Sequence, residues 1–145
     1  MKKNRTYGLI GKNIDYSFSQ KYFSQKFENE NLNYTYSNFD IKNLSQIESI
    51  LLNDRISGFN VTIPFKEDII KFLDEIDEVA TDIGAVNTIK KINNKNIGYN
   101  TDCIGFERSL LSLIDKKKTE NALILGSGGA SKAIKYVLKK LKIKY

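Results

Sequence analysis

Histidine is absent from this chain, and with it go the commonest routes to nucleophilic hydrolysis. Ser-His-Asp and Cys-His arrangements need an imidazole to carry the proton, and catalytic zinc sites usually draw on histidine as a ligand. Cysteine occurs once, at Cys103. A single thiol forms no intramolecular disulfide and suits a reducing cytoplasm. No apolar run is long enough to span a bilayer, and the opening Met-Lys-Lys-Asn-Arg lacks the apolar core of a secretion signal. Proline occurs once, at Pro64, and arginine only at Arg5, Arg55 and Arg108, so lysine supplies nearly all of a net charge of +6.

That charge raises the question of nucleic acid. Nucleic-acid readers gather basic residues on one face or interleave them with exposed aromatics. Here the lysines are scattered apart from residues 116–118 and the run 139–144. A solvated lysine-rich surface accounts for them, and neither nucleic acid nor a membrane is expected as a partner. At 145 residues, 41% of them hydrophobic, the chain is an ordinary globular sequence able to bury one substantial core.

The periodicities predict an α/β protein. Residues 7–11 read as a strand closed by glycine. Residues 19–30 space Tyr22, Phe23 and Phe27 at helical intervals, with Ser19 as N-cap. Residues 34–39 suit a strand, 44–52 an amphipathic helix, and 56–63 a strand ending at Pro64. That proline is placed to start a helix carrying Lys66. Residues 74–82 form an acidic loop with a helical turn. Residues 85–92 alternate as a strand, and the turn signal at 93–96 leads into 97–99 as a hairpin. The expected architecture is a three-layer α/β substrate domain with a mostly parallel mixed sheet and one antiparallel member.

Beyond Asp102 the pattern changes. A helix over 104–114 ends in Asp115 and three lysines, a natural hinge. Residues 121–125 read as a buried strand, followed by a glycine-rich turn, a helix over about 131–141 and a further strand beginning at Lys142. Residues 1–103 are therefore expected to form one domain. Residues 104–145 would supply a linker helix and the first βα unit of a Rossmann-like domain.

Two short segments carry the chemistry. Residues 60–66 read Asn-Val-Thr-Ile-Pro-Phe-Lys and residues 100–102 read Asn-Thr-Asp. A lysine beside a carboxylate can exchange a proton with a substrate, while Asn and Thr groups hold its hydroxyls. Taken singly, Lys66 could be a solvent-facing lysine and Asp102 a helix N-cap. Asn60, Thr62, Asn87, Thr88 and Thr101 could equally be turn and cap residues. Ser17 and Ser19 offer two hydroxyls after the first strand, able to grip a carboxylate or simply to cap the helix. Cys103, with no histidine to activate it, is a small packing residue.

The glycine-rich turn spans Gly126, Ser127, Gly128, Gly129, Ala130 and Ser131, between an expected strand and an expected helix. Gly126 permits the tight turn and Gly128 lets the backbone approach a pyrophosphate. The amides and dipole at Gly129 to Ser131 favour the anion. The residue that would recognise the adenosine ribose lies about 20 residues beyond such a turn. Here that point falls at or just past the last residue, so dinucleotide affinity is expected to be poor.

Together these residues resemble the N-terminal part of the shikimate dehydrogenase family, across essentially the whole chain. The matching segments are 7–11, Ser17 with Ser19, 60–66, 84–88, 100–102 with Gly105, and 126–131. The resemblance implies reduction of 3-dehydroshikimate to shikimate with NADP as cofactor, a step toward aromatic amino acids. It implies that Ser17 and Ser19 hold the substrate carboxylate and that Thr62, Asn87 and Asp102 contact the ring hydroxyls. Lys66, paired with Asp102, would exchange the proton. The two serines imply shikimate rather than quinate. The family usually carries histidine before the first serine, proline after the second and a further histidine later. Tyr16, Gln20 and Phe23 stand here instead.

Family members continue for about another hundred residues through a nucleotide domain, so the chain is expected to be an incomplete and inactive portion. Three alternatives stay open: a non-catalytic ligand-binding fragment, a relative acting on quinate, and homo-oligomerisation through apolar surface of a half-built second domain.

Overall fold

The structure, a computed structural model, describes residues 4–114 and 121–145. The hinge expected at residues 115–118 lies outside the described residues, as do residues 1–3. Six strands form one mixed sheet: β1 (Arg5–Gly11), β2 (Tyr34–Asp40), β3 (Ile56–Val61), β4 (Glu75–Ile76), β5 (Thr88–Ile92) and β6 (Lys95–Tyr99), in the order β2-β1-β3-β5-β6-β4. β1 pairs in parallel with both β2 and β3, and β4 with β6. β5 runs antiparallel to β3 and β6, the one reversed member expected.

Helices lie on both faces. On one side α1 (Ser19–Asn29) packs over β1 and β2 through Leu9, Phe27 and Tyr36, joined by the half-buried Tyr7 and Phe23. On the other, α2 (Ile47–Leu51), a 3₁₀ segment (Asp68–Phe72) and α3 (Glu78–Ile83) close over Ile10, Phe59, Val61 and Ile89. Ile10, Ile47, Ile69 and Ala80 are fully buried there. Burying each isoleucine stabilises the fold by about 1.5–3 kcal/mol. A third cluster joins α3 to α4 (Asp102–Leu113) and α5 (Gly129–Lys140) through Ile83, Ala85, Cys103, Ala133 and Val137.

Several boundaries depart from the sequence reading. Ser19 is not the N-cap of α1; Phe18 holds that position, and Ser17 Oγ accepts the Ser19 amide at 3.3 Å. Pro64 does not start a helix. Residues 63–67 form turns and the 3₁₀ segment begins at Asp68, because Phe65 is drawn into the core and the Lys66 carbonyl accepts the Val86 amide at 2.7 Å. That carbonyl is thereby lost to a helical ladder. The acidic stretch 74–82 contains β4 and α3, the latter capped by Asp77 Oδ2 on the Val79 amide.

The expected buried strand over 121–125 is not formed. Asn121 makes a single parallel bridge with Lys144, while Leu123 and Leu125 are 85% and 87% exposed. A short apolar run becomes a buried strand only where a neighbouring strand and a packing layer meet it, and among the described residues none does. The strand expected from Lys142 likewise amounts to that one bridge.

Candidate active site

Parallel strands bring distant segments to one edge. The ends of β1, β3 and β6 and the start of the reversed β5 all lie at the same side of the sheet. Ligand sites in open α/β sheets form at this C-terminal edge. Ser17 and Ser19 lie after β1, Thr62 and Lys66 after β3, Asn87 just before β5, and Thr101 and Asp102 after β6. The loop after β1 is stitched to the segment after β3 by the Lys12 amide on the Ile63 carbonyl at 3.1 Å. It is braced by Asp40, whose carboxylate accepts the Asn13 and Ile14 amides.

Lys66 and Asp102, 36 residues apart in sequence, meet with Nζ donating to Oδ2 at 2.6 Å. Their side chains are 16% and 32% exposed, so the pair is shielded from full solvent screening yet open on one side. Asp102 is the first residue of α4 rather than its cap; Asn100 Oδ1 accepts the Cys103 amide instead. The second Asp102 oxygen accepts Asn87 Nδ2 at 2.8 Å. Asn87 is buried and fully engaged: Nδ2 also donates to Thr101 Oγ1, while Oδ1 accepts the Thr101 amide at 2.8 Å and the Thr88 hydroxyl at 3.1 Å. Charge-assisted bonds of this kind are the strong ones, and together they leave the carboxylate one orientation. The lysine has two further N–H donors to offer a ligand oxygen.

The remaining candidates lie along the same edge of the sheet. Asn60 sits opposite Thr88 across β3 and β5. Its Oδ1 accepts the Tyr36 hydroxyl at 2.8 Å, which leaves the amide N–H groups of Asn60 to act as donors. Tyr36 was not among the sequence candidates. Strand alternation places it on the face of Leu9, but no spacing rule links it to Asn60. Burial pushes its phenol well above the ordinary tyrosine value, so it stays protonated and keeps donating. Phe23 stacks on Tyr36 at 4.7 Å, with the rings 13° from parallel.

Ser17 and Ser19 bond to each other at 3.1 Å, a pair separate from the Lys66–Asp102 network. The Thr62 hydroxyl has no hydrogen-bond partner among the described residues. Cys103 is buried, with Sγ donating to the Asn100 carbonyl, and burial pushes its thiol up. That environment suits packing, not nucleophilic attack.

The glycine turn is largely exposed, with only Gly129 and Ser131 partly covered. Gly126 has φ +133°, a backbone that side-chain-bearing residues rarely adopt. Gly128 precedes α5 in extended conformation, and an added Cβ there would meet nothing within 4 Å. The first-turn amides of Gly129, Ala130 and Ser131 have no intrahelical partner. Ser127 completes the exposed loop. These residues fit a phosphate-bearing cofactor.

A hollow of about 1020 Å³ lies elsewhere, on the part of the sheet that α1 leaves open, beside Tyr7, Gly58, Asn60, Thr88 and Lys90. It shares Asn60 and Thr88 with the site but not Lys66, Asn87 or Asp102. Convergent hydrogen bonding, not volume, singles out Lys66 and Asp102 as the candidate site.

Comparison with known proteins gives a consistent picture. Residues 9–89 match the family described as shikimate dehydrogenase substrate binding domain. A protein of Methanococcus maripaludis strain C6 named shikimate dehydrogenase (NADP(+)) is 48% identical over 140 residues, 95% of this chain and 50% of its own length. One of Clostridium botulinum strain Hall with the same name is 45% identical over 139 residues, 94% of this chain and 54% of its own. The chain thus spans about half the length of the curated relatives it matches.

Among solved structures, shikimate dehydrogenase 1 from Peptoclostridium difficile superposes with a TM-score of 0.88 at 37% identity, covering 97% of this chain and 53% of that one. The shikimate 5-dehydrogenase of Thermus thermophilus in complex with NADP(H) and shikimate gives a TM-score of 0.85 at 29% identity, covering 96% and 53%.

Proposed function

This chain belongs to the shikimate dehydrogenase family, and we propose that the protein containing it reduces 3-dehydroshikimate to shikimate with NADP as cofactor. The observation that carries the reading is the Lys66–Asp102 pair at 2.6 Å, framed by Asn87 and Thr101 at the sheet edge. Within that protein, residues 1–103 act as the substrate domain. Residues 104–145 act as the linker helix and the opening of the nucleotide domain.

The cofactor, held by Gly126 to Ser131, supplies the hydride when bound. The protein's part is orientation and proton delivery. Ser17 and Ser19 present hydroxyls and amides to the substrate carboxylate. Asn60, Thr62 and Thr101 address the ring hydroxyls, and Asn87 joins them where a substrate hydroxyl takes the place of Thr101 Oγ1 on its amide. The Lys66 ammonium hydrogen-bonds the ketone oxygen and gives it a proton as the carbonyl becomes an alcohol; solvent returns that proton to the amine. Asp102 holds Nζ in place and, locked by Asn87, cannot swing away.

In the protein carrying this chain, Lys66→Ala is expected to lower turnover about 10²–10⁴-fold, the usual worth of a general acid. Calorimetric affinity for shikimate should stay within a few-fold. NADPH oxidation with 3-dehydroshikimate measures the first quantity, and unchanged turnover would overturn the assignment. Shikimate binding without any turnover in the unmutated protein would favour a binding module instead.

A further inference from the structure

The turn that opens α5 packs directly on the lysine. A Cβ added to Gly129 would lie 2.9 Å from Lys66 Cβ, 3.4 Å from Lys66 Cδ and 3.2 Å from Ala85 Cβ. At Gly128, one residue earlier, the same atom would meet open space. The two adjacent glycines are therefore glycines for different reasons. Gly128 leaves room for a ligand, while Gly129 leaves room for the Lys66 stem.

A second contact lies on the first turn of the same helix. Lys132 Nζ meets Glu67 Oε2 at 2.5 Å. It also stands 3.9 Å from where a Cβ on Gly84 would be, at the C-terminal end of α3, whose carbonyls attract a cation. Three contacts bear on Lys66, one on its stem, one on its backbone and one on the residue beside it. Val86 holds its carbonyl, Lys132 holds its neighbour Glu67, and Gly129 covers its methylenes. A lysine side chain is a flexible four-carbon stem, and these restraints favour the conformer that reaches Asp102.

We infer that Gly129 and Lys132 are positioning residues for Lys66, coupling the helix that would take the cofactor's phosphates to the proton-transferring side chain. The inference deepens the proposed function and rests on it for the meaning of Lys66; the contact itself is independent of turnover.

Acetylation of the folded protein with dilute acetic anhydride, read by peptide mass spectrometry, reports the availability of each ammonium. The exposed Lys21 serves as internal reference. Gly129→Ala is expected to raise the Lys66-to-Lys21 ratio about tenfold, the loss of one charge-assisted hydrogen bond. Gly105→Ala is also a helix glycine-to-alanine change but has open space around the new methyl, and should leave the ratio alone. An unchanged ratio in Gly129→Ala overturns the inference.

Should that variant fail to fold, Lys132→Met decides. A raised ratio, restored by Lys132→Arg, supports the positioning role, and an unchanged one overturns it. Because acetylation needs neither substrate nor catalysis, a negative result leaves the reductase reading standing. Conversely, unchanged turnover in Lys66→Ala sinks that reading alone.

Discussion

Tyr36 shows how a residue outside the sequence motifs can set the polarity of one inside them. Its hydroxyl donates to Asn60 Oδ1, so removing it by Tyr36→Phe is expected to cost about 0.5–1.5 kcal/mol and to weaken shikimate binding by freeing the Asn60 amide to turn. The phenol also contributes to pH dependence. Burial raises it in the folded state, so as pH passes about 10 the unfolded chain loses its proton first. The unfolded state then binds fewer protons than the native one, and stability falls with rising pH. Urea titrations stepped upward from about pH 10 should show a shallower loss for Tyr36→Phe than for the unmutated chain; equal slopes would contradict the burial. Lys66, Asp102 and Asn87 were legible because short polar motifs sit where apolar strands end. The Lys66–Asp102 pairing came with the family resemblance, and the bonds from Asn87 to Asp102 and Thr101 were not legible, since contacts between distant segments depend on the order of strands in the sheet. Ser17 and Ser19 were legible as hydroxyls at a helix start, but neither is the N-cap, because Phe18 between them holds that position.

Among the secondary-structure elements, the hairpin was the clearest signal. Asn93 and Asn94 have φ of 49° and 62°, the left-handed pair that a two-residue type I′ turn requires, joining β5 to β6. Asparagine tolerates that region better than most residues. Asn94→Val is expected to destabilise the chain by about 1–2 kcal/mol, the cost of a left-handed β-branched residue, whereas Asn94→Gly should be neutral or stabilising. Thermal melts check both, and a Val variant melting with the unmutated chain would contradict the turn assignment. The helix expected after Pro64 failed for a reason local propensity cannot see. Burial of Phe65 and the bond from Val86 to the Lys66 carbonyl outweighed it, and the same distortion points Lys66 at Asp102. Two-residue β4 was invisible because so short a strand has no period to detect.

Across the protein in its entirety, the alternation of strands and helices made the α/β class and the single reversed strand readable in advance. The placement of β4 at the sheet edge was not. Nor was the seating of α5 on α3 and α4, which depends on Ala133 and Val137 meeting Ile83 and Cys103. No helix among the described residues is long and apolar enough to cross a membrane. Two regions of the sheet compete as a substrate site, the polar edge around Lys66 and Asp102 and the hollow on the open face, and substrate is expected at the first. Amide chemical-shift mapping of the chain with shikimate distinguishes them. Saturable shifts are predicted at Thr62, Lys66, Asn87 and Asp102, and they should vanish in Asp102→Asn. Shifts confined to Tyr7, Ser57 and Lys90 on the open face, or none at all, would contradict a substrate site built on the Lys66–Asp102 pair.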